Sequence, residues 1–504
     1  MNLSELSINI GIDWGTSFTK ICVRANDTDK SEVAVFETLN LEGALLISKI
    51  GIASDGKLLA GLTQKEWKQR QSKNMVEVDF IKMRLANVDL PQEDHLFEFT
   101  ALSPYKNHDL NDPNKLENLG AYYLSQVIQR VKDWFSSKHP DRIKNRTLEW
   151  SANVGVPVQY CDSPAKVCFE RVLRLGWLLT EQPNLDSLTF AELEKIAKPL
   201  RSRINDDIPC FAVPEVAAGT YFYATSQEAR EGNYLYADIG SGTTELCSFY
   251  YRREEGLPQI SAIKAYTPPI GIEAIANGVA SECGLEFSQV QDALNSVSES
   301  LQTESSKLIN QLDQKLEKGE FVASADQKLL ENLELSYSPS RYLSQEAIER
   351  EKNKYSGRER MLLELMLWEQ AIHIIIAKRP PRTTIFLGGG GRDSEFYRYA
   401  IKSTYTAFKQ YRNPERYSSI ELENINIQES QKFTMNGIKS EHSHRFAIAF
   451  GLSIPNFEMP DFDLPSQKKA PPISSALNKS PNRIIQSYRY LNLDHKPLGG
   501  YPGK

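Results

Sequence analysis

Hydrophobic positions along the chain fall into blocks of different period. Strand-like runs separated by turns fill residues 1 to about 62, and INIGIDWGTSFTKICVR (8–24) contains two of them. A polar, basic stretch from about 64 to 75 predicts an exposed helix or loop, and residues 104–118 predict a long loop. Apolar residues return at helical spacing over 120–135. Residues 148–158 read as a buried strand, with a helix starting at SPAKVCFE beyond it. Between 281 and 317, Val290, Leu294, Val297, Leu301, Leu308, Leu312 and Leu316 recur at steps of three, four and seven. That spacing marks one or two amphipathic helices, packed on a domain or paired as a short coiled coil. Another helix is expected over 360–371, leading to the short apolar strand before Gly388. The globular pattern ends near Pro455; the final 49 residues hold seven prolines and Lys468-Lys469 and read as an exposed tail. Within the tail, 484–493 is apolar enough to dock, on its own domain or on a partner, or to stay disordered.

Three of the turns carry candidate chemistry. An apolar strand runs into Asp13, then turns through Gly15, Thr16 and Ser17 into a second strand. About 225 residues later YADIGSGTTELC (236–247) repeats the plan, with Asp238 followed by Gly240, Ser241, Gly242, Thr243 and Thr244. Glycine lacks a Cβ, so such a turn can bend sharply and bring its N–H groups close to an anion, while threonine hydroxyls add donors. Small polar residues also dominate ordinary turns for steric reasons alone, so either hairpin taken singly fits both readings. A third turn, TTIFLGGGGRDSEF (383–396), strings Gly388 to Gly391 after a short strand, and four consecutive glycines cost enough conformational entropy to argue against a purely structural origin. None of the three is a P-loop, and 388–392 does not match the dinucleotide fingerprint.

Composition narrows the class. A chain of 504 residues can form two or more sizeable domains, and 40% hydrophobic with 25% charged residues is ordinary for a globular protein. A formal net charge of −6 gives no electrostatic reason to bind nucleic acid or an anionic membrane. No apolar run approaches the roughly 20 residues of a membrane span. The N-terminal MNLSELSINIGID lacks the basic-then-apolar order of a secretory signal, so the expected compartment is the cytoplasm. Six scattered cysteines without a C-x-x-C pair predict reduced, buried thiols, and the His442/His444 pair reads as incidental rather than metal-binding.

Two Asp-x-Gly hairpins and a late glycine turn resemble the ATPase superfamily of actin, sugar kinases and heat-shock chaperones. Four further stretches, in the family's order, resemble the DnaK-type (70 kDa heat-shock) chaperones: DFIKMRL (79–85), NVGVPVQYCDS (153–163), IPCFAVPEVAAG (208–219) and FAIAFGLS (446–453). The resemblance covers about residues 8–455 and implies an α/β, two-lobed actin-like ATPase fold of duplicated ribonuclease-H-like domains. The expected division is 1–217 as the first lobe, 218–455 as the second with a helical insertion about 281–358, and 456–504 as the tail.

Residue by residue, the resemblance implies ATP or ADP with Mg²⁺ as ligands. Asp13 would hold Mg²⁺ through its waters, and Gly15, Thr16 and Ser17 would wrap the β- and γ-phosphates. Lys82 would neutralise charge developing on the transferred phosphoryl group. Asp238 would orient or deprotonate the attacking water and stand near the metal. Gly240, Ser241, Gly242, Thr243 and Thr244 would form the second phosphate turn. Gly388, Gly389, Gly390 and Gly391 would let backbone approach the nucleotide, with Arg392 either against the adenine or paired with Asp393 or Glu395. The family's glutamate before the proline is Val213 here; Glu215, two residues on, either takes over a water-mediated metal contact or caps the following helix. IGIE (270–273) stands where the family has paired glycines before an acid, so Gly271 and Glu273 make a looser contact.

The family's peptide-binding β-sandwich of about 100 residues has no counterpart after residue 455. The implied function is therefore an ATPase-type conformational switch acting on a protein partner, with oligomeric state left open. The alternatives are an actin-like filament, a small-molecule kinase, and a nucleotide-bound scaffold with little hydrolysis.

Overall fold

The computed structural model describes residues 4–87, 112–295, 354–377, 384–407, 422–424 and 432–467. Strand β1 (Ser4–Trp14) is buried along most of its length because it lies inside a sheet. It pairs antiparallel with β2 (Phe18–Ala25) on one side and parallel with a later strand on the other. One face of β1 carries Leu6, Ile8, Ile10 and Ile12, all buried in the main core. The other face carries Asn9, Gly11 and Asp13, and the sequence there is set by a helix that lies on it. A Cβ on Gly11 would collide with backbone atoms of Ala449, Leu452 and Ser453.

Helix α1 (Ile81–Asn87) carries Lys82, and helix α2 (Pro113–Lys138) follows. Of the long loop expected over 104–118, residues 113–118 are helical instead, since Asp112 caps α2 and Pro113 takes its first position; 104–111 lie outside the described residues. The polar stretch from 64 begins as a helix, Gln64–Arg70, started by a Thr63/Glu66 capping box and tethered by buried Trp67.

Strand β3 (Arg146–Val156) is the parallel neighbour of β1. Helix α3 (Ala165–Leu179) packs on α2, and a Cβ on Gly176 would come within 2.8 Å of the Ala121 carbonyl, so glycine is what allows that approach. Strand β4 (Cys210–Pro214) closes this sheet edge and runs directly into α4 (Glu215–Thr225).

The chain divides into two compact units: the described residues of 1–231, 250–267 and 424–468 form one, and those of 232–249 and 268–423 the other. This differs from the expected boundary after 217, for a packing reason. The helix Ala447–Leu452 lies against α4, and Gly451 touches Ala218 so closely that any Cβ would strike its carbonyl. Asn9 and Asn153 fix the end of the same helix by donating to the carbonyls of Leu452 and Ile454.

The first unit also continues past Pro455, where a tail was expected to begin. Asp461–Asp463 forms a strand parallel to Leu257–Tyr266, Leu464 packs on the main core, and Ser466 donates to Asp162. The rest of the tail, including 484–493, lies outside the described residues.

In the second unit, β5 (Gly232–Ile239) precedes the part of β6 (Thr244–Glu254) that ends at Phe249, helix α5 (Ile272–Cys283) follows, and β7 (Thr384–Gly388) runs parallel to β5. Tyr234 stacks on Phe249 and Phe386 at 5.5 and 5.3 Å. The helix expected over 360–371 spans Gly357–Ala377, absorbing the most apolar heptad of the sequence. Val290 and Leu294 are buried on Phe287–Asn295, while the remainder of that amphipathic run lies outside the described residues. All six cysteines are free and buried. His444 sits in a 3-10 turn with its Nδ1 against the Glu441 carbonyl, so it and His442 share no strand face. The chain is thus mixed α/β with several sheets, and no described helix is long and apolar enough to cross a membrane.

Candidate functional site

In the first unit, four charged groups gather at the C-terminal end of β1. Asp13 is the next-to-last residue of that strand and is 4% exposed. The turn after it is closed by Gly15, whose N–H donates to the Asp13 carbonyl at 3.1 Å. A Cβ on Gly15 would lie 2.6 Å from the Phe18 carbonyl oxygen, so the turn admits only glycine without shifting. The Ser17 carbonyl accepts from the Ser48 N–H at 2.9 Å. Beneath the turn runs a buried chain of hydroxyls, Tyr123 to Thr19 at 2.7 Å and Thr19 to Ser48 at 2.9 Å. Burial pushes the Tyr123 phenol up to about 12, so it stays a neutral donor at ordinary pH.

Lys20 is the residue that sequence reasoning missed. It stands directly opposite Asp13 in the β1–β2 register and donates from Nζ to Asp13 Oδ2 at 2.6 Å. A signal was present: in a hairpin centred on Thr16 and Ser17, positions 13 and 20 are equidistant from the turn and must fall on the same face.

Lys82 and Glu215 form a second buried pair, joined through Nζ and Oε1. Lys82 comes from α1, entered through Phe80 at φ +52, an uncommon conformation for a bulky residue. Glu215 is the first residue of α4, beside Gly155, and a Cβ there would sit 3.0 Å from the Glu215 Cγ. Burial pushes the Glu215 carboxyl up; the Lys82 ammonium pulls it back, Asp13 raises it, and Lys20 lowers it. The two pairs therefore act on one another as a single electrostatic cluster.

The second unit gathers the other predicted segments. Asp238 is the next-to-last residue of β5, and the turn beyond it is closed by the Gly240 N–H donating to the Thr243 carbonyl at 2.9 Å. Its glycine obeys the same constraint as Gly15, because a Cβ on Gly240 would lie 2.7 Å from the Thr243 carbonyl oxygen. The N-terminus of α5 braces this turn: Gly271 N donates to Gly242 O, Ile272 N to Gly240 O, and Glu273 N to Ser241 O at 2.9–3.1 Å. Thr244 Oγ1 donates to the Ile270 carbonyl at 2.9 Å.

The glycine run reaches the same place. Gly391 N donates to the Ile239 carbonyl at 2.9 Å, and a Cβ on Gly388 or Gly389 would press on Asp238 Oδ1 at 2.8 or 2.9 Å. Gly389 also takes φ +78, which favours glycine on its own account. A Cβ on Gly390 would meet nothing, so that glycine lacks a steric reason. Arg392 pairs with Asp393 at 3.4 Å and not with Glu395, and burial lowers its pKa from the ordinary value.

Segments separated by up to about 200 residues thus converge within each unit: Asp13, the 15–17 turn, Lys82 and Glu215 in one, and Asp238, 240–244, 271–273 and 388–392 in the other. Magnesium, which the resemblance implies at Asp13, Asp238 and Glu215, fits these residues poorly. Asp13 Oδ2 already carries the Lys20 ammonium and Glu215 Oε1 that of Lys82. Among the described residues, no group of three or more His, Cys, Asp or Glu side chains could hold a metal ion. No family model matches the chain, and no curated protein matches it either.

Proposed function

We propose that the chain binds ATP or ADP through turns of the kind described and hydrolyses ATP, as a DnaK-like nucleotide switch of two-lobed actin-like fold acting on a protein partner. One observation carries this reading. The same construction, Asp-x-Gly at a strand end with a glycine that lies against the carbonyl three residues on, occurs independently in both units at Asp13–Gly15 and Asp238–Gly240. Ordinary turns have no reason to repeat a carboxylate and a sterically required glycine together. The convergence of the glycine run on Asp238 adds support, since it leaves backbone rather than side chain beside that carboxylate.

In this reading the turns hold the phosphates through backbone N–H and hydroxyl groups, Lys82 offers a fixed positive charge where negative charge develops, and Asp238 orients the attacking water. Glu215 positions Lys82. A nucleotide-bound scaffold with little turnover is the second reading, favoured by the same pair: an ammonium held on a buried carboxylate must leave it, in part, to serve a phosphate.

Phosphate release from ATP by the wild-type chain, compared with Asp238→Asn and Lys82→Ala, tests the first reading. Loss of turnover in both variants with circular dichroism unchanged supports it. Wild-type rates in both would remove the assigned roles, and binding without turnover in the wild type would select the scaffold.

A further inference from the structure

The poor fit of a metal at Asp13 has a chemical counterpart in Lys20. We infer that the Lys20 ammonium supplies the positive charge of the first phosphate turn, so that the chain holds a nucleoside polyphosphate without requiring a divalent cation. This rests on the nucleotide reading proposed above and concerns how the same site is charged.

Lys20 is fixed in three ways. Its strand register puts it on the same face as Asp13. Its Nζ lies 2.6 Å from Asp13 Oδ2, with side-chain exposures of only 15% and 6%. The same Nζ is 3.8 Å from the point a Cβ on Gly15 would occupy, which sets the ammonium beside the turn itself. A lysine anchored on a carboxylate next to a glycine turn presents its remaining protons to whatever anion enters that turn, since an ammonium has three donors and Asp13 Oδ2 takes one.

Charge balance points the same way. Asp13 and Glu215 contribute two negative charges and Lys20 and Lys82 two positive ones, so the cluster is neutral as built. A divalent ion drawn to Asp13 would face an ammonium already bound to that carboxylate and a second one close by, whereas a polyphosphate anion meets two cations that can turn toward it. The ordinary alternative is that Lys20 only neutralises a carboxylate stranded at a strand end. The two possibilities separate by ligand binding.

The experiment is calorimetric titration of the full chain with ATP, once in excess EDTA and once in excess MgCl₂, for the wild type and for Lys20→Met and Lys20→Arg. The expected wild-type affinities agree within about threefold between the two buffers. Lys20→Met is expected to weaken binding in EDTA by about tenfold or more and to regain part of it with Mg²⁺, because Asp13 is then open to the ion's waters, while Lys20→Arg stays near wild type. Wild-type binding that appears only with Mg²⁺ overturns the inference and leaves the nucleotide reading standing. No binding in either buffer removes the nucleotide reading and the inference together. The wild-type comparison decides the matter even if Lys20→Met fails to fold.

Discussion

Lys82 and Glu215, 133 residues apart in the chain, meet as an ion pair whose side chains are 8% and 6% exposed. Each has been removed from water, and the attraction between them offsets part of that cost. Glu215→Gln removes the buried carboxylate that faces the Lys82 ammonium and should cost about 3–5 kcal/mol of stability. Lys82→Met should cost less, since burial already pushes the Glu215 carboxyl up and without Lys82 it can take a proton and become neutral. The sign follows: with its folded pKa raised above the unfolded value, the lone carboxyl lets the Lys82→Met variant keep its stability at low pH and lose it as pH rises toward the folded pKa. Thermal melts of both variants between pH 5 and 8 check this, and equal losses at every pH would contradict it.

A second buried carboxylate runs the opposite way. Glu117, on α2, accepts from Arg201 Nη1 at 2.6 Å and Arg171 Nε at 2.9 Å. Burial alone would raise its pKa, but the two guanidinium groups outweigh it and hold the carboxyl below its ordinary value. A depressed folded pKa contributes stability that is full above the unfolded value of 4.5 and is lost as pH falls through the folded one. Glu117→Gln should therefore destabilise by about 3 kcal/mol at neutral pH and flatten the acid limb of the stability profile below about pH 4.5. Urea midpoints of wild type and variant from pH 7 to 3 test it; parallel profiles would mean that Glu117 is not depressed.

The Lys82–Glu215 pair also marks where the sequence stopped being legible. The strands that carry Asp13 and Asp238 near their ends and the turns after them were readable because the signal is local: an apolar run, a carboxylate, a glycine whose Cβ would strike a carbonyl nearby in the chain. Lys82 was singled out by the resemblance of DFIKMRL (79–85). Its partner was not, because nothing near Glu215 announces a lysine 133 positions upstream. Lys20 was readable in principle from hairpin symmetry. The start of α2 was obscured by DPNK, which reads as turn although Asp112 and Pro113 are helix-starting residues in that order. The approach of Gly451 to Ala218 was not readable either, because the two meet only in three dimensions.

The strand Asp461–Asp463 yields a truncation test. Its register against Gln259–Ser261, the Asp463 carboxylate accepting from Ser261 Oγ at 3.0 Å, and Leu464 on the main core all lie beyond Pro455. A chain ending at Gln467 should melt higher than one ending at Pro455, because the shorter form exposes an unpaired sheet edge and the apolar surface under Leu464. The loss should be about 1–3 kcal/mol, the value of one apolar side chain and a few hydrogen bonds. Identical melts for the two truncations would show that the strand contributes nothing to the unit.

Glycines that look alike in sequence should respond in opposite directions to alanine. Gly451 lies in the helix Ala447–Leu452, where an added Cβ would run into the Ala218 carbonyl oxygen, carbonyl carbon and Cα, so a methyl there must push two helices apart. Gly278 lies inside α5 with open space where a Cβ would go. Gly451→Ala should destabilise by about 1–3 kcal/mol or more, since overpacking meets backbone rather than a side chain that can rotate away. Gly278→Ala should stabilise by about 0.4–1 kcal/mol, through helix propensity and a less flexible unfolded chain. Both changes add one methyl group to a helix, so their difference isolates the packing from the chemistry. Equilibrium unfolding of the two single variants measures it, and a Gly451→Ala protein as stable as the wild type would mean that α4 and the helix on β1 are not in the contact described.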